Sequence, residues 1–158
     1  MKTVSTVLPV WNAIQNRFHD MVRKLPEESL SLSLGGSSIG QMLRHNAEVE
    51  YMFAEWFFEC PMPEGLEIVT GRGAARSTRD FTNLQELVAV LEASNKHLIA
   101  AMEALPEEQW HEQKDCPIGP STPLESVGRL MYHAGIHSGQ ISLIQKCSVN
   151  KESAEVNQ

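Results

Sequence analysis

Along four stretches of this chain the apolar residues recur at intervals of three and four, and nowhere do they alternate. That period is the one of an α-helix with a single face to bury, so the chain reads as helical throughout. The first run comprises Val7, Val10, Trp11, Ile14, Phe18, Met21, Val22 and Leu25. Pro9 is read as lying near its first turn and Pro26 as its stop. A second run follows a Gly-Gly-Ser-Ser start signal, takes Ile39, Met42, Leu43, Val49, Met52, Phe53, Trp56 and Phe57, and ends before Cys60 and Pro61. The third extends from Leu84 to Leu105 and is closed by Pro106. The fourth opens with Thr122 as N-cap and Pro123 at the first helical position, and its stripe is Leu124, Val127, Leu130, Met131, Ala134, Ile141 and Ile144. Four amphipathic helices of about twenty residues each can bury their apolar faces only against one another, which makes an all-α four-helix bundle the expected fold.

With 158 residues there is enough chain for one core. Residues 1–147 are read as a single domain and the polar residues 148–158 as a frayed tail. Between the second and third helices lies a long loop, from Glu59 to about Phe81, with no period of its own. It carries Arg72, Arg76 and Arg79, which suit either an anion-contacting lid at the mouth of the bundle or a solvated basic loop.

Thirteen Lys and Arg stand against twenty Asp and Glu, a formal net charge of −7, which argues against a nucleic-acid binder because that role needs a basic footprint. No stretch approaches the roughly eighteen apolar residues of a membrane span, and the N-terminus does not read as a signal peptide. The three cysteines, Cys60, Cys116 and Cys147, are far apart and form no CxxC pair, so neither a disulfide framework nor a thiolate zinc site is expected. A cytoplasmic setting follows as the expectation.

Two short motifs occur twice. Leu25-Pro26-Glu27-Glu28 returns as Leu105-Pro106-Glu107-Glu108, each closing an odd-numbered helix. Ser38-Ile39-Gly40-Gln41-Met42-Leu43-Arg44-His45 is paralleled by Ser126-Val127-Gly128-Arg129-Leu130-Met131-Tyr132-His133. The chain thus reads as two related helical hairpins, each with a histidine at the same phase of its second helix.

Of the six histidines, His19, His97 and His111 read as surface or boundary residues. His45, with Met42, Val49 and Met52 at helical spacing around it, is aimed inward. His133 and His137 are one turn apart on one face of the fourth helix, so their imidazoles can converge on a single ion. Three inward imidazoles suit zinc, nickel, copper or ferrous iron and leave at least one position for water or substrate. Glu48, three residues after His45, can serve as a fourth ligand, as an acceptor behind a ligand or as a proton carrier, or it can simply be solvated.

The pairing of Gly40-Gln41-Met42-Leu43-Arg44-His45 with His133-Ala134-Gly135-Ile136-His137-Ser138-Gly139-Gln140-Ile141 resembles the DinB/YfiT-like metalloenzyme superfamily. In that family the second motif commonly continues as Arg-Gly-Gln-Ile; here Ser138 replaces the arginine while Gly139, Gln140 and Ile141 match. The resemblance implies a divalent metal held by His45, His133 and His137, a pocket beside it and a homodimer. Relatives include thiol-dependent transferases and isomerases as well as hydrolase-like proteins. The leading expectation is a metal-dependent S-transferase that uses a low-molecular-weight thiol on a small-molecule substrate, with the loop arginines on a carboxylate. The alternatives are metal-assisted hydrolysis, with Glu48 as base, and a non-catalytic metal-binding dimer.

Overall fold

The computed structural model describes residues 2–70 and 79–155. Among them are four α-helices and no strand: α1 (Thr3–Arg23), α2 (Ile39–Phe58), α3 (Leu84–Ala104) and α4 (Pro123–Glu155). The expected bundle is what the chain forms. Its only β-type pairing among the described residues is an isolated bridge between Lys114 and Ser121. No helix among the described residues is long and apolar enough to cross a membrane.

Local chemistry explains most of the helix ends. Ser38 caps α2 in a reciprocal box with Gln41, each side chain bonding the other residue's backbone N–H. Thr122 and Glu125 form the same box at the start of α4. Two details differ from the sequence reading. The first helix begins at Thr3, so Pro9 lies inside it rather than near its first turn; the backbone bond it cannot make would have gone to the exposed Ser5, whose carbonyl water can reach. Helix α4 continues to Glu155, past Ser148, where the sequence reading begins the tail.

Both Leu-Pro-Glu-Glu repeats do the same structural work. Each proline ends a helix and opens a 3-10 turn, Glu27–Ser31 or Glu107–His111, that drops a large apolar residue, Leu30 or Trp110, completely into the core. Each also supplies a carboxylate to the other hairpin: Glu27 accepts from the Leu84 N–H at the start of α3, and Glu107 accepts from the Thr3 N–H at the start of α1. The two hairpins therefore cap each other's first helix, and an acidic group sits at each positive helix end. The second repeat is less symmetric. A methyl on Gly40 would lie 1.9 Å from the Phe81 carbonyl oxygen, so only glycine lets the returning loop pass, whereas Gly128 faces open space.

The apolar core is split into two clusters, one toward each end of the bundle. Trp11, Phe53, Phe57, Leu98, Trp110 and Leu130 belong to one, and Phe18, Leu30, Leu43, Leu91, Ile141 and Ile144 to the other. Every long helix passes from one cluster to the other, and buried polar side chains lie at the crossings: Gln15 on α1, Asn46, Glu48 and Glu50 on α2, and Ser94 on α3. The histidines of α4 fall at the same level. Glu50 is 4% exposed and bonds the Ser94 hydroxyl at 2.6 Å; burial, only partly opposed by that bond, pushes its carboxyl up to about 8.

The folded chain consequently holds a proton on Glu50 that the unfolded chain has already released above its ordinary value of 4.5, and stability falls as pH rises between 4.5 and about 8. Glu50→Gln cannot ionise and keeps a partner for Ser94. The stability gap in its favour is expected to widen by up to about 1.4 kcal/mol per pH unit through that window, measured by urea unfolding at stepped pH. Parallel stability curves for the two proteins would contradict a neutral buried Glu50.

Candidate metal centre

His137 continues the buried stripe of α4 between Ala134 and Ile141, and His133 lies one turn before it. Their Nε2 atoms are 3.2 Å apart. From α2, His45 reaches the same point, its ring centroid 5.0 Å from that of His133 and 5.6 Å from that of His137. One ligand atom from each of the three lies within 4.8 Å of the others. The three rings are half-buried, whereas the sequence places them on inward faces of the core. The cluster can therefore be reached from solvent.

On His45 and His137 the nitrogen that faces away from the cluster is occupied. The Thr70 hydroxyl gives its one proton to Glu48 Oε2, so at 3.3 Å from His45 Nδ1 it can only accept. That sets the His45 tautomer: Nδ1 carries the proton and Nε2 presents a lone pair to the cluster. His137 Nδ1 is 2.8 Å from Gln140 Oε1, which sets the same tautomer there. Imidazoles oriented from behind by an oxygen acceptor are the usual arrangement at metal sites.

Electrostatics points the same way. Burial, reinforced by the neighbouring His137 and His45, takes His133 down to about 3. Burial also lowers His45, against Glu48 and Thr70, and lowers His137 together with His45. Neutral imidazoles are the form that binds a metal. Nitrogens at about 2.0–2.1 Å from a tetrahedral ion stand roughly 3.3–3.4 Å apart, close to the His133–His137 separation. By donor type, number and spacing, the residues fit a borderline transition metal.

Glu48 is 1% exposed and makes the most bonds in the site. Oε1 accepts from Arg44 Nε (2.9 Å) and the Val69 N–H (3.0 Å); Oε2 accepts from the Thr70 N–H (2.8 Å) and the Thr70 hydroxyl. Burial pushes this carboxyl up, but the bonds from Thr70, Val69 and Arg44 together outweigh it and hold it below the ordinary value. Arg44 also bonds the Glu67 carbonyl, so the residue pair Arg44–Glu48 straps residues 67–70 of the long loop across α2.

Of the loop arginines, Arg72 and Arg76 lie outside the described residues. Arg79 lies 3.8 Å from Glu67 and over the Phe81 ring at 5.5 Å, and its carbonyl accepts from Gln41. Among the other histidines, His19 is only 7% exposed, not a boundary residue, and His97 is half-buried between Cys60 Sγ (3.4 Å) and the Tyr51 ring. Two contributors were given no role by the sequence reading, although Gln140 stands in the motif it quotes. Thr70 carries no signal in the sequence, since it belongs to a loop without a period. Gln140 does carry one, three residues after His137 on the same face.

A sequence model of the DinB superfamily matches residues 10–141 of this chain. Two crystal structures share its fold. A DinB-like protein from Bacillus cereus ATCC 10987 superposes with a TM-score of 0.72 at 16% identity, covering 93% of each chain. A DinB-like protein from Bacillus subtilis gives 0.66 at 16% identity, covering 90% of this chain and 92% of that one. At such identity the likeness speaks to the fold alone. Comparison with curated proteins returned no match.

Thr70→Val keeps the shape of the side chain and removes the hydroxyl. It is expected to cost about 1–3 kcal/mol by leaving His45 Nδ1 and a Glu48 oxygen short of a partner. In the metal-free protein, nitrogen-15 NMR of the imidazoles should show His45 losing its single tautomer while His137 keeps its own. A His45 ring unchanged in the variant would mean that another group orients it.

Proposed function

This chain belongs to the DinB superfamily, and on that premise we propose that it is a divalent-metal-dependent enzyme whose ion is held by His45, His133 and His137. The observation that carries the reading is the convergence of three imidazoles, two of which have their outward nitrogens engaged, His45 by Thr70 and His137 by Gln140. A zinc, nickel or iron ion bound there would supply Lewis acidity, enough to deprotonate a thiol near neutral pH. The protein's share is positional. Thr70 and Gln140 aim two of the imidazoles, Glu48 holds Thr70, and Arg44 holds both Glu48 and the loop.

Among reactions open to such a site, we favour transfer of a low-molecular-weight thiol to a small-molecule acceptor. All four of the Glu48 bonds described above are made to the chain itself, which suits a positioning residue better than the mobile base that hydrolysis requires. Arg79, and with it Arg72 and Arg76, remain the groups for a carboxylate on either reactant. The reading extends to a homodimer through α4, where Tyr132 (73% exposed) and Ile136 (41% exposed) stand beside Gly135 and Gly139, glycines with open space around them.

Metal analysis by mass spectrometry is expected to find about one ion per chain in the tag-free protein and none in the His45→Ala, His133→Ala or His137→Ala variants. Thiol consumption with an electrophile should disappear with the metal. Metal without thiol turnover would favour hydrolysis or a non-catalytic role, and protein that stays metal-free after reconstitution would overturn the reading. For the assembly, sedimentation velocity should give a two-chain mass that falls to one chain in Tyr132→Glu; a one-chain mass for the native protein would refute the dimer.

A further inference from the structure

A cavity of about 310 Å³ opens directly against His137. Its apolar wall is Leu34, Met42, Leu143 and Ile144; its polar groups are Ser37, Gln140 and His137 itself, and no charged side chain lines it among the described residues. Leu34 and Leu143 are 49% and 55% exposed, so two of the large apolar side chains left in water by this fold meet at one rim. Ile144 and Met42 form the buried floor.

We propose that this cavity seats an uncharged alkyl or aryl portion of the substrate, leaving the reacting end beside His137. The argument is one of solvation. A carboxylate or ammonium entering here would give up water and find no opposite charge, a loss that hydroxyl and amide dipoles do not restore. An apolar group gains by covering Leu34 and Leu143 while displacing water from Met42 and Ile144. At the lower end of the range for ligand sites, the volume suits a group of modest size rather than a whole cofactor. Because His137 both lines the cavity and joins the histidine cluster, an occupant's end is directed to the place where the ion would be held. That last step rests on the proposed metal centre; the preference for a neutral apolar group does not.

Straight-chain 1-alkanols are suitable probes because a hydroxyl competes poorly for a metal. They are titrated into the protein as purified, with its metal content measured on the same sample, and followed by methyl NMR of Leu34, Met42, Leu143 and Ile144. The expected result is tightening by about fourfold per methylene from 1-butanol to 1-hexanol, with shifts confined to those methyls. Hexylammonium, whose cationic head cannot ligate a metal, should bind at least tenfold more weakly than 1-hexanol. Leu34→Glu, at the exposed rim residue that does not belong to α4, should weaken 1-hexanol at least tenfold and leave metal content unchanged. Affinity independent of chain length, equal binding of hexylammonium, or shifts outside these residues would overturn the proposal. Chain-length-dependent binding to metal-free protein would instead uphold the cavity assignment while the metal reading fails.

Discussion

A charged carboxylate inside a helical bundle survives only where donors are brought to it, and Glu48 is where this fold meets that demand. At 1% exposure it accepts four hydrogen bonds, three of them from Val69 and Thr70 of the loop and the fourth from Arg44 of its own helix. Those bonds draw residues 67–70 onto α2 and set the Thr70 hydroxyl between Glu48 and His45. Thr70 then decides which His45 nitrogen carries a proton, and hence which one faces the other two histidines. The loop bond that satisfies a buried charge and the bond that orients His45 are thus made by the same residue.

The position of the site follows from how the core is divided. Each long helix contributes apolar residues to both clusters, and polar side chains occupy the crossover on α1, α2 and α3. On α4 the crossover residues are His133 and His137, between Leu130 in one cluster and Ile141 in the other. Apolar packing on both sides holds the helices while leaving the middle free to carry polar groups, including a neutral Glu50 and the three imidazoles. Reciprocal capping by Glu27 and Glu107 fastens the two hairpins from their outer ends, through bonds between residues 57 and 104 positions apart.

Much of this was legible beforehand because it depends on neighbours. The helical period, the stops at Pro26 and Pro106, the Gly-Gly-Ser-Ser start signal before α2 and the cap at Thr122 all act within a few residues. His45 and His133, at matching positions of the repeat, have ring centroids 5.0 Å apart, although α4 starts a turn earlier relative to the repeat. Less legible was anything set by a distant contact. Pro9 gives no sign of how far the helix extends before it. His19 looks peripheral in the pattern yet is buried. Gly40 and Gly128 match in the repeat, but only Gly40 faces a returning backbone.

By itself the sequence determined that the chain would be helical and where its four amphipathic faces lie, because hydrogen bonding and side-chain phase along a helix reach only three or four residues. It likewise determined that His133 and His137 would share a face. Tertiary structure alone decided that His45 would join them, that Thr70 would stand behind it, and that Glu48 would be buried with its donors rather than solvated. Those outcomes join residues 21 to 25 positions apart through a loop with no periodic pattern, and histidines on two different helices. Their energies come from removing charge and polar atoms from water, a cost that exists only once the surrounding helices have closed.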